Sequence, residues 1–526
     1  MLKLVLGASG SGKTTLLYAR IRARAEAGKR SILLVPEQFT SSTEARIYRE
    51  LGDALSGMVE SYSFTSLAEH ILAALGGTAV QTLTDAGRAV LVRRALEELQ
   101  DNVHYYYRHR RSAAFCQMAA ETIDELKSAG LSGQQLQELA RDCGTESAKL
   151  GELALIFQGY ESLLAGTGMD PADRLELAAD RLEAALARDE LPDFLQEREV
   201  FIDEFDTFNA PKKRLMGAML AALPAVTVAL CEDGAPMKPG DLELFSGAKQ
   251  VAAQLRQLAR KNGAQVAAPE LLRRDLRHKD APGLAALTEL LETGSCTPPE
   301  SAPELRLFAA ASREEEARCA AAAIRRLMRQ GVRCGKIAVV CRDISLYRAA
   351  VRYEFRMAEI PLYCDEPTTP EFSAPATAVR ALLALLRGAD MTEQLTVLAK
   401  TGLCALTEPE VCALENYAYT WSPNAAAWRA EFTKSPRGFG DAELTEEDTQ
   451  NLTRAENARK KLVTAVDTLR SKVRSANAEQ ISRALYFCLK ELGAEGQQAA
   501  QVEDIRAARG IPAAEEAARE WNVVMQ

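Results

Sequence analysis

The sequence predicts an α/β protein interrupted by large helical insertions. Three observations carry that prediction. Residues 1–60 alternate short apolar runs with helix-compatible stretches. Residues 64–190 then read as almost continuous helix. From Val200 the short apolar runs return, and a second alternating unit opens at Leu305. A chain of 526 residues exceeds what one hydrophobic core ordinarily organises, so about three domains are expected.

Each element has a local reason. Leu2-Lys3-Leu4-Val5-Leu6 suits a buried strand, and the stretch 14–27 after the glycine-rich turn suits a helix. Ser31-Ile32-Leu33-Leu34-Val35 is a second strand, ended by Pro36, and a helix follows around 42–51. Ser66 and Glu69 have capping-box spacing ahead of Leu67, Ile71, Leu72 and Leu75. Helical spacings recur through 88–99, 113–127, 150–164 and 172–187. Val200-Phe201-Ile202 and Ala225–Leu230 restore the strand pattern. Residues 263–304 are irregular and contain prolines, and read as a linker. The second unit is expected as strand 305–309, a helix 313–330 capped by Ser312 and Glu315 and ended by Gly331, strand 337–341, helix 345–357 and a short strand at 360–363. From Ala374 the pattern stays helical to the last residue.

Composition narrows the function classes. Apolar residues make up 47% and charged residues 26%, ordinary values for a globular protein. No apolar window approaches the length of a membrane span, and the N-terminus lacks the pattern of a signal peptide. The eleven cysteines are scattered without C-x-x-C, which suits reduced, mostly buried thiols of a cytoplasmic protein. The four histidines have no metal-ligand spacing. A net charge of −9 argues against bulk nonspecific affinity for nucleic acid, while leaving room for a local basic groove.

Gly7-Ala8-Ser9-Gly10-Ser11-Gly12-Lys13-Thr14 reads G-x-x-x-x-G-K-[ST], the phosphate-binding loop of an NTPase. Its glycines let backbone N–H groups turn toward phosphates, where the following helix N-terminus adds a favourable field. Lys13 is expected on the outer phosphates and the Thr14 hydroxyl on Mg²⁺. Asp203-Glu204, directly after an apolar strand, supplies the other half of such a site. The aspartate is expected to hold the metal and the glutamate to activate the attacking water. Arg342, after the 337–341 run, stands where a basic residue can neutralise the γ-phosphate. Two readings fit Gln38: contact with nucleic acid or nucleotide, and a turn that caps the next helix. The segment His104-Tyr105-Tyr106-Tyr107-Arg108-His109-Arg110-Arg111 likewise has two. Tyr106, Arg108 and Arg110 suit single-strand binding by stacking and phosphate attraction, and they equally suit a helix junction. Arg273-Arg274 and Arg277-His278-Lys279 read as a solvated basic face.

GASGSGKT, LLVPEQFT, VFIDEFDTF, LFAAASREEEARCAAAAIRRLMRQG and IAVVCRDISLYRAAVRYEFRMAEIPLY occur in that order. Together they resemble the B subunit of AddAB-type (RexAB-type) ATP-dependent helicase–nucleases, in the superfamily 1 helicase lineage. The resemblance implies RecA-like P-loop motor domains with large helical insertions. The first would span 1–262, with its insertion at about 64–190. A linker at 263–304 would lead to the start of the second at 305–370. A truncated helical insertion domain would fill 371–526, leaving the second motor domain incomplete. It implies ATP bound by Gly7 to Thr14, Mg²⁺ held by Thr14 and Asp203, Glu204 at the position of the catalytic base, and Arg342 on the γ-phosphate. It further implies an A-type partner in a heterodimer, and single- and double-stranded DNA as substrates. The process would be double-strand break repair by recombination in the cytoplasm, with no membrane role. An iron–sulfur cluster belongs to a C-terminal nuclease domain that these residues do not include. The last residues, Trp521 to Gln526, stop within a helical pattern, so an N-terminal portion is expected. Two alternatives stand beside the helicase–nuclease reading: a non-hydrolysing, ATP-gated DNA-binding scaffold, and an unrelated P-loop ATPase.

Overall fold

The computed structural model describes residues 1–77, 82–99, 101–236, 244–364, 370–440 and 443–525, with the side chains of Thr40, Ser41 and Tyr107 outside the description. The chain divides into two compact units, Met1–Leu307 and Phe308–Gln526.

The first unit is built on β1 (Leu2–Gly7), α1 (Lys13–Glu26), β2 (Ser31–Leu34), α2 (Thr40–Leu51), α3 (Asp53–Ser56) and β3 (Val59–Tyr62). Helices α4 (Phe64–Leu75), α5 (Asp85–Glu98), α6 (Ala113–Ser128), α7 (Gly133–Ala140), α8 (Ser147–Leu164) and α9 (Pro171–Ala187) follow, with no strand between them among the described residues. The α/β alternation then resumes with β4 (Glu199–Ile202), α10 (Ala210–Ala222), β5 (Ala225–Cys231), α11 (Ser246–Lys261), β6 (Glu270–Leu272) and α12 (Pro282–Thr293). The six strands form one sheet in the order β3-β2-β4-β5-β1-β6. Every pairing is parallel. All carboxyl ends therefore open on one edge, where ligands bind in parallel α/β sheets.

Alternation along the strands divides the core between two faces. Leu4, Leu6, Ile32, Leu34, Val200, Ile202, Val226 and Val228 point toward α4, α9, α10 and α11. Val5, Leu33, Phe201 and Ala229 point the other way, onto Leu17 and Ile21 of α1 and Ile47 and Leu51 of α2. Burial on both faces is why these strands read as continuous apolar runs. The inserted helices α5, α6 and α8 build a separate core around Val92, Leu96, Ile123, Phe157 and Tyr160.

Several local expectations are corrected. The helix after β3 is capped by Ser63, whose hydroxyl accepts from Ser66 N, so Ser66 is the third helical residue rather than the cap. The chain from 263 to 304 is more than a linker. Its β6 pairs with β1, because the edge of β1 left open by β5 offers free ladder groups to Glu270–Leu272. Of the cysteines, only Cys116, Cys404 and Cys488 are buried, while Cys143 and Cys412 are exposed.

The second unit contains α13 (Arg313–Arg329) and α14 (Ile344–Met357), packed through Ala317, Ala321, Ile324, Val351 and Phe355. Ser312 caps α13 as expected, its hydroxyl accepting from Glu315 N at 3.3 Å. Further helices follow: α15 (Ala374–Leu386), α16 (Met391–Lys400), α17 (Glu408–Trp421), α18 (Ala425–Arg429), α19 (Glu446–Lys472), α20 (Ala478–Leu492), α21 (Ala494–Arg509) and α22 (Ile511–Met525). Their core centres on Leu382, Leu398, Leu414, Trp428, Leu462 and Leu469. The strands expected at 305–309, 337–341 and 360–363 are not formed among the described residues. These runs have no ladder neighbour among the described residues, and a strand is defined by its pairing.

Candidate functional site

Strand β1 ends at Gly7, between Cys231 of β5 and Leu272 of β6, so the loop that follows rises from the carboxyl edge. A bond from Ser11 N to Ala8 O of 3.3 Å tightens its turn. Gly10 and Gly12 adopt φ of 81° and 91°, a left-handed conformation that other residues enter only with strain. A Cβ on Gly7 would collide with Ser11 Oγ and stand 2.8 Å from the Leu272 carbonyl oxygen. The glycines are thus fixed by geometry. Helix α1 begins at Lys13 with Gly12 as its cap; no side chain caps it and no acidic residue occupies its first turn. Its first N–H groups are left free to meet an anion.

Lys13 Nζ folds back and donates to Gly7 O at 2.7 Å and Ala8 O at 2.8 Å. Burial lowers its pKa below the ordinary lysine value, while Cys231 and Asp203 act in the opposite direction. Asp203 is therefore an electrostatic neighbour of Lys13. Topology explains this: β4 and β1 flank β5, and all three end at the same edge.

Asp203 is buried. Its N–H donates to Leu34 O at 3.1 Å, extending the β2–β4 ladder, and its Oδ1 accepts from Glu204 N at 3.0 Å. Glu204 has a φ of 65°, so the chain turns sharply away from the sheet and leaves this residue exposed. Desolvation, then the Asp203 charge, raises the Glu204 carboxyl above its ordinary value, and Arg46 opposes them. Gln38 is exposed in the short turn after β2, next to β4 along the same edge.

Two basic residues at this edge were not singled out from the sequence. Arg46 on α2 lies over the Tyr18 ring at 4.9 Å, with its Nε buried and without a partner. Burial, only partly offset by Arg46, pushes the Tyr18 hydroxyl up to about 12. Arg277 lies in the basic run read as a solvated face. Its Nη1 donates to Ser9 Oγ at 3.2 Å, inside the glycine-rich loop. The available signal was the short apolar run before it, which becomes β6 and delivers 273–279 to the loop.

The remaining candidates lie elsewhere. Glu152 of α8 is buried, and its carboxylate accepts N–H groups of His104 and Tyr105 at 2.7 Å each and of Tyr106 at 3.1 Å. Tyr106 packs on Phe115 with ring centres 5.1 Å apart, in the core of the helical insertion, and Arg108 is exposed. Arg342 is exposed at a bend after Cys341, in the second unit.

The loop's chemistry fits a nucleotide triphosphate with magnesium. It combines an uncapped helix N-terminus, a cradle that a Cβ would fill, a lysine satisfied only by carbonyls, and a buried Ser11 hydroxyl without a partner. Thr14 and Asp203 carry hard oxygen atoms, the donor type that suits Mg²⁺ when phosphates and water complete its shell. Among the described residues no group of three or more His, Cys, Asp or Glu is placed to hold a metal by itself. No described helix is long and apolar enough to cross a membrane.

Sheet and loop together define a class: α/β proteins in which a glycine-rich phosphate-loop sequence leaves the carboxyl edge of a parallel sheet. Comparison with known proteins narrows it. The family described as ADDB, N-terminal, matches residues 4–288, and the chain belongs to that family. A relative from Moorella thermoacetica, named as the B subunit of an ATP-dependent helicase/deoxyribonuclease, is 30% identical over 554 aligned positions, covering 100% of this chain and 46% of the relative. Relatives of the same name from Desulforudis audaxviator and Symbiobacterium thermophilum are 29% and 30% identical, covering 100% and 82% of this chain and 46% and 38% of their own lengths. The chain thus spans less than half the length of these curated relatives.

Proposed function

We propose that this chain is the ATP-binding portion of the B subunit of a heterodimeric helicase–nuclease that processes DNA double-strand breaks for recombinational repair. The observation that supports it most is the convergence of Lys13 and Asp203 at one sheet edge. In this reading the first unit is a RecA-like motor domain, the partner is an A-type chain in the cytoplasm, and single-stranded DNA is scanned as the enzyme moves. The relatives' names support the class of activity and, by designating them B subunits, a partner. Family membership removes the reading as an unrelated P-loop ATPase.

The residues divide the work by their chemistry. Backbone N–H groups of Gly7–Thr14 bind phosphate oxygens, and Lys13 exchanges its two carbonyl partners for them. Thr14 and Asp203 would hold the magnesium. Glu204, whose carboxyl is raised above its ordinary value by desolvation and the Asp203 charge, is placed to orient water and take its proton. Arg277 adds positive charge at Ser9, and Arg342 is assigned to the charge of the γ-phosphate. Bound ATP·Mg²⁺ supplies the phosphoanhydride bond and the metal charge that stabilises its cleavage.

Steady-state ATP hydrolysis in the presence of single-stranded DNA tests this. The chain is expected to turn over ATP, and Lys13→Ala to lower the rate by about a hundredfold or more. Binding without turnover in the unmodified chain favours the scaffold reading. Neither binding nor turnover contradicts both.

A further inference from the structure

The segment between β6 and α12 crosses the phosphate loop. Leu276 N donates to Gly10 O at 3.0 Å, so the crossing chain is bonded directly to the loop backbone. Leu276 Cδ1 would stand 3.1 Å from a Cβ on Gly12. Arg277 reaches Ser9 from this segment. The side chain that shapes the crossing is Asp275. Its Oδ1 accepts from Arg277 N at 3.0 Å and from His278 N at 3.1 Å, and its Oδ2 lies 2.8 Å from His278 Nδ1. The same carboxylate abuts Gly10, where an added Cβ would come within 2.8 Å of Oδ1.

An aspartate at this place is unexpected on charge alone. A carboxylate beside a phosphate-binding loop repels the ligand that the loop is built to hold, and its presence calls for a compensating role. The bonds name that role. Arg277 has a long, rotamer-rich side chain that reaches Ser9 only if its own backbone is fixed, and the backbone fixing it is the turn closed by Asp275. Three polar hydrogens converge on the carboxylate, so much of its charge is offset locally although it abuts the loop. Desolvation would raise the Asp275 pKa, but the N–H and ring of His278 and the N–H of Arg277 hold it below the ordinary carboxylate value.

We propose that Asp275 is a positioning residue for nucleotide binding, acting through Arg277 by locking the turn 275–278 over Gly10. This rests on the reading of Gly7–Thr14 as an ATP site. Loss of the lock frees Arg277 from the loop and leaves the rest of the fold in place, because residues 273–279 lie outside both core clusters of the sheet.

The test is equilibrium binding of a fluorescent ATP analogue with Mg²⁺ to the full chain. The variants are Lys13→Ala, Asp275→Ala, Asp275→Asn, Arg277→Ala and the Asp275→Ala/Arg277→Ala pair. Asp275→Ala is expected to weaken binding by about tenfold, approaching Arg277→Ala. Asp275→Asn keeps an oxygen acceptor for the two N–H groups and should stay within about threefold of the unmodified chain. In the double variant, Asp275→Ala should add less than about twofold to the effect of Arg277→Ala, the signature of two residues acting as one unit. Additive losses, unchanged affinity in Asp275→Ala, or tighter binding in both Asp275 variants would overturn the proposal. If the unmodified chain fails to bind, or Lys13→Ala binds equally well, the ATP-site reading itself falls.

Discussion

Val200-Phe201-Ile202 and Ile337-Ala338-Val339-Val340-Cys341 are near-identical signals in the sequence, yet only the first becomes a strand. The difference is in the neighbours. β4 lies between β2 and β5, and its three apolar side chains are fully buried from both faces. The run 337–341 follows a turn closed by Ile337 N to Cys334 O at 2.9 Å, and beyond it Val339 and Val340 remain 50% and 90% exposed. α13 and α14 pack against one another beside it and give it no ladder. An apolar run announces that its side chains suit burial. It does not supply the second strand that satisfies its backbone.

Matched truncations sharpen this comparison. Phe201→Ala should destabilise the first unit by about 3–5 kcal/mol, through lost burial and the cavity left behind. Val340→Ala should change stability by less than about 0.5 kcal/mol, as an exposed position does. Chemical denaturation followed by circular dichroism reads both. Comparable losses would mean that 337–341 is buried in a sheet after all.

The same rule of partners separates two buried carboxylates at opposite ends of the sheet. At the amino edge, Glu199 is paired with Lys3 at 2.8 Å and Arg24 at 3.3 Å and accepts from Thr227 Oγ1 at 2.9 Å. At the carboxyl edge, Glu232 is buried with its Oε2 unpartnered. Desolvation raises the Glu232 value above 4.5; Asp233 adds to this, and Arg256 and Lys249 oppose it. A carboxyl raised on folding binds more protons in the native state, so stability falls as pH rises from about 4.5 through its folded value. Glu232→Gln should therefore gain stability over the unmodified protein at pH 8, and the gain should vanish at pH 4. Glu199→Gln should instead lose about 1–2 kcal/mol at pH 8, because it removes the buried charge that pairs with two half-buried cations. A gain from both would mean that pairing does not distinguish the two ends.

The glycine-rich loop, its strand and helix, and the acidic pair after β4 were legible because each is a local pattern with a local consequence. Leu2–Leu6, Gly7–Thr14 and Asp203-Glu204 needed only sequence order to be read. Two kinds of feature were not legible. β3, with Val59-Glu60-Ser61-Tyr62, carries charge and polarity on a partly exposed edge and shows no apolar run. Arg277 joins the site through the parallel pairing of β6 with β1, a contact between residues 268 positions apart for Arg277 and Ser9. The packing of Tyr106 on Phe115 in the insertion's core was not legible either, because it too is a meeting between segments. Patterns within a segment survive the step to three dimensions, whereas meetings between segments are decided by which strand edge is left open.

The magnesium dependence of ATP-analogue binding tests most directly whether Lys13 and Asp203 serve one magnesium–triphosphate complex at the carboxyl edge of this sheet. It is measured in the unmodified chain and in Asp203→Asn. Mg²⁺ is predicted to tighten binding to the unmodified chain by about tenfold or more, and Asp203→Asn to abolish this gain while metal-free binding persists. Full magnesium dependence retained in Asp203→Asn would contradict a shared complex.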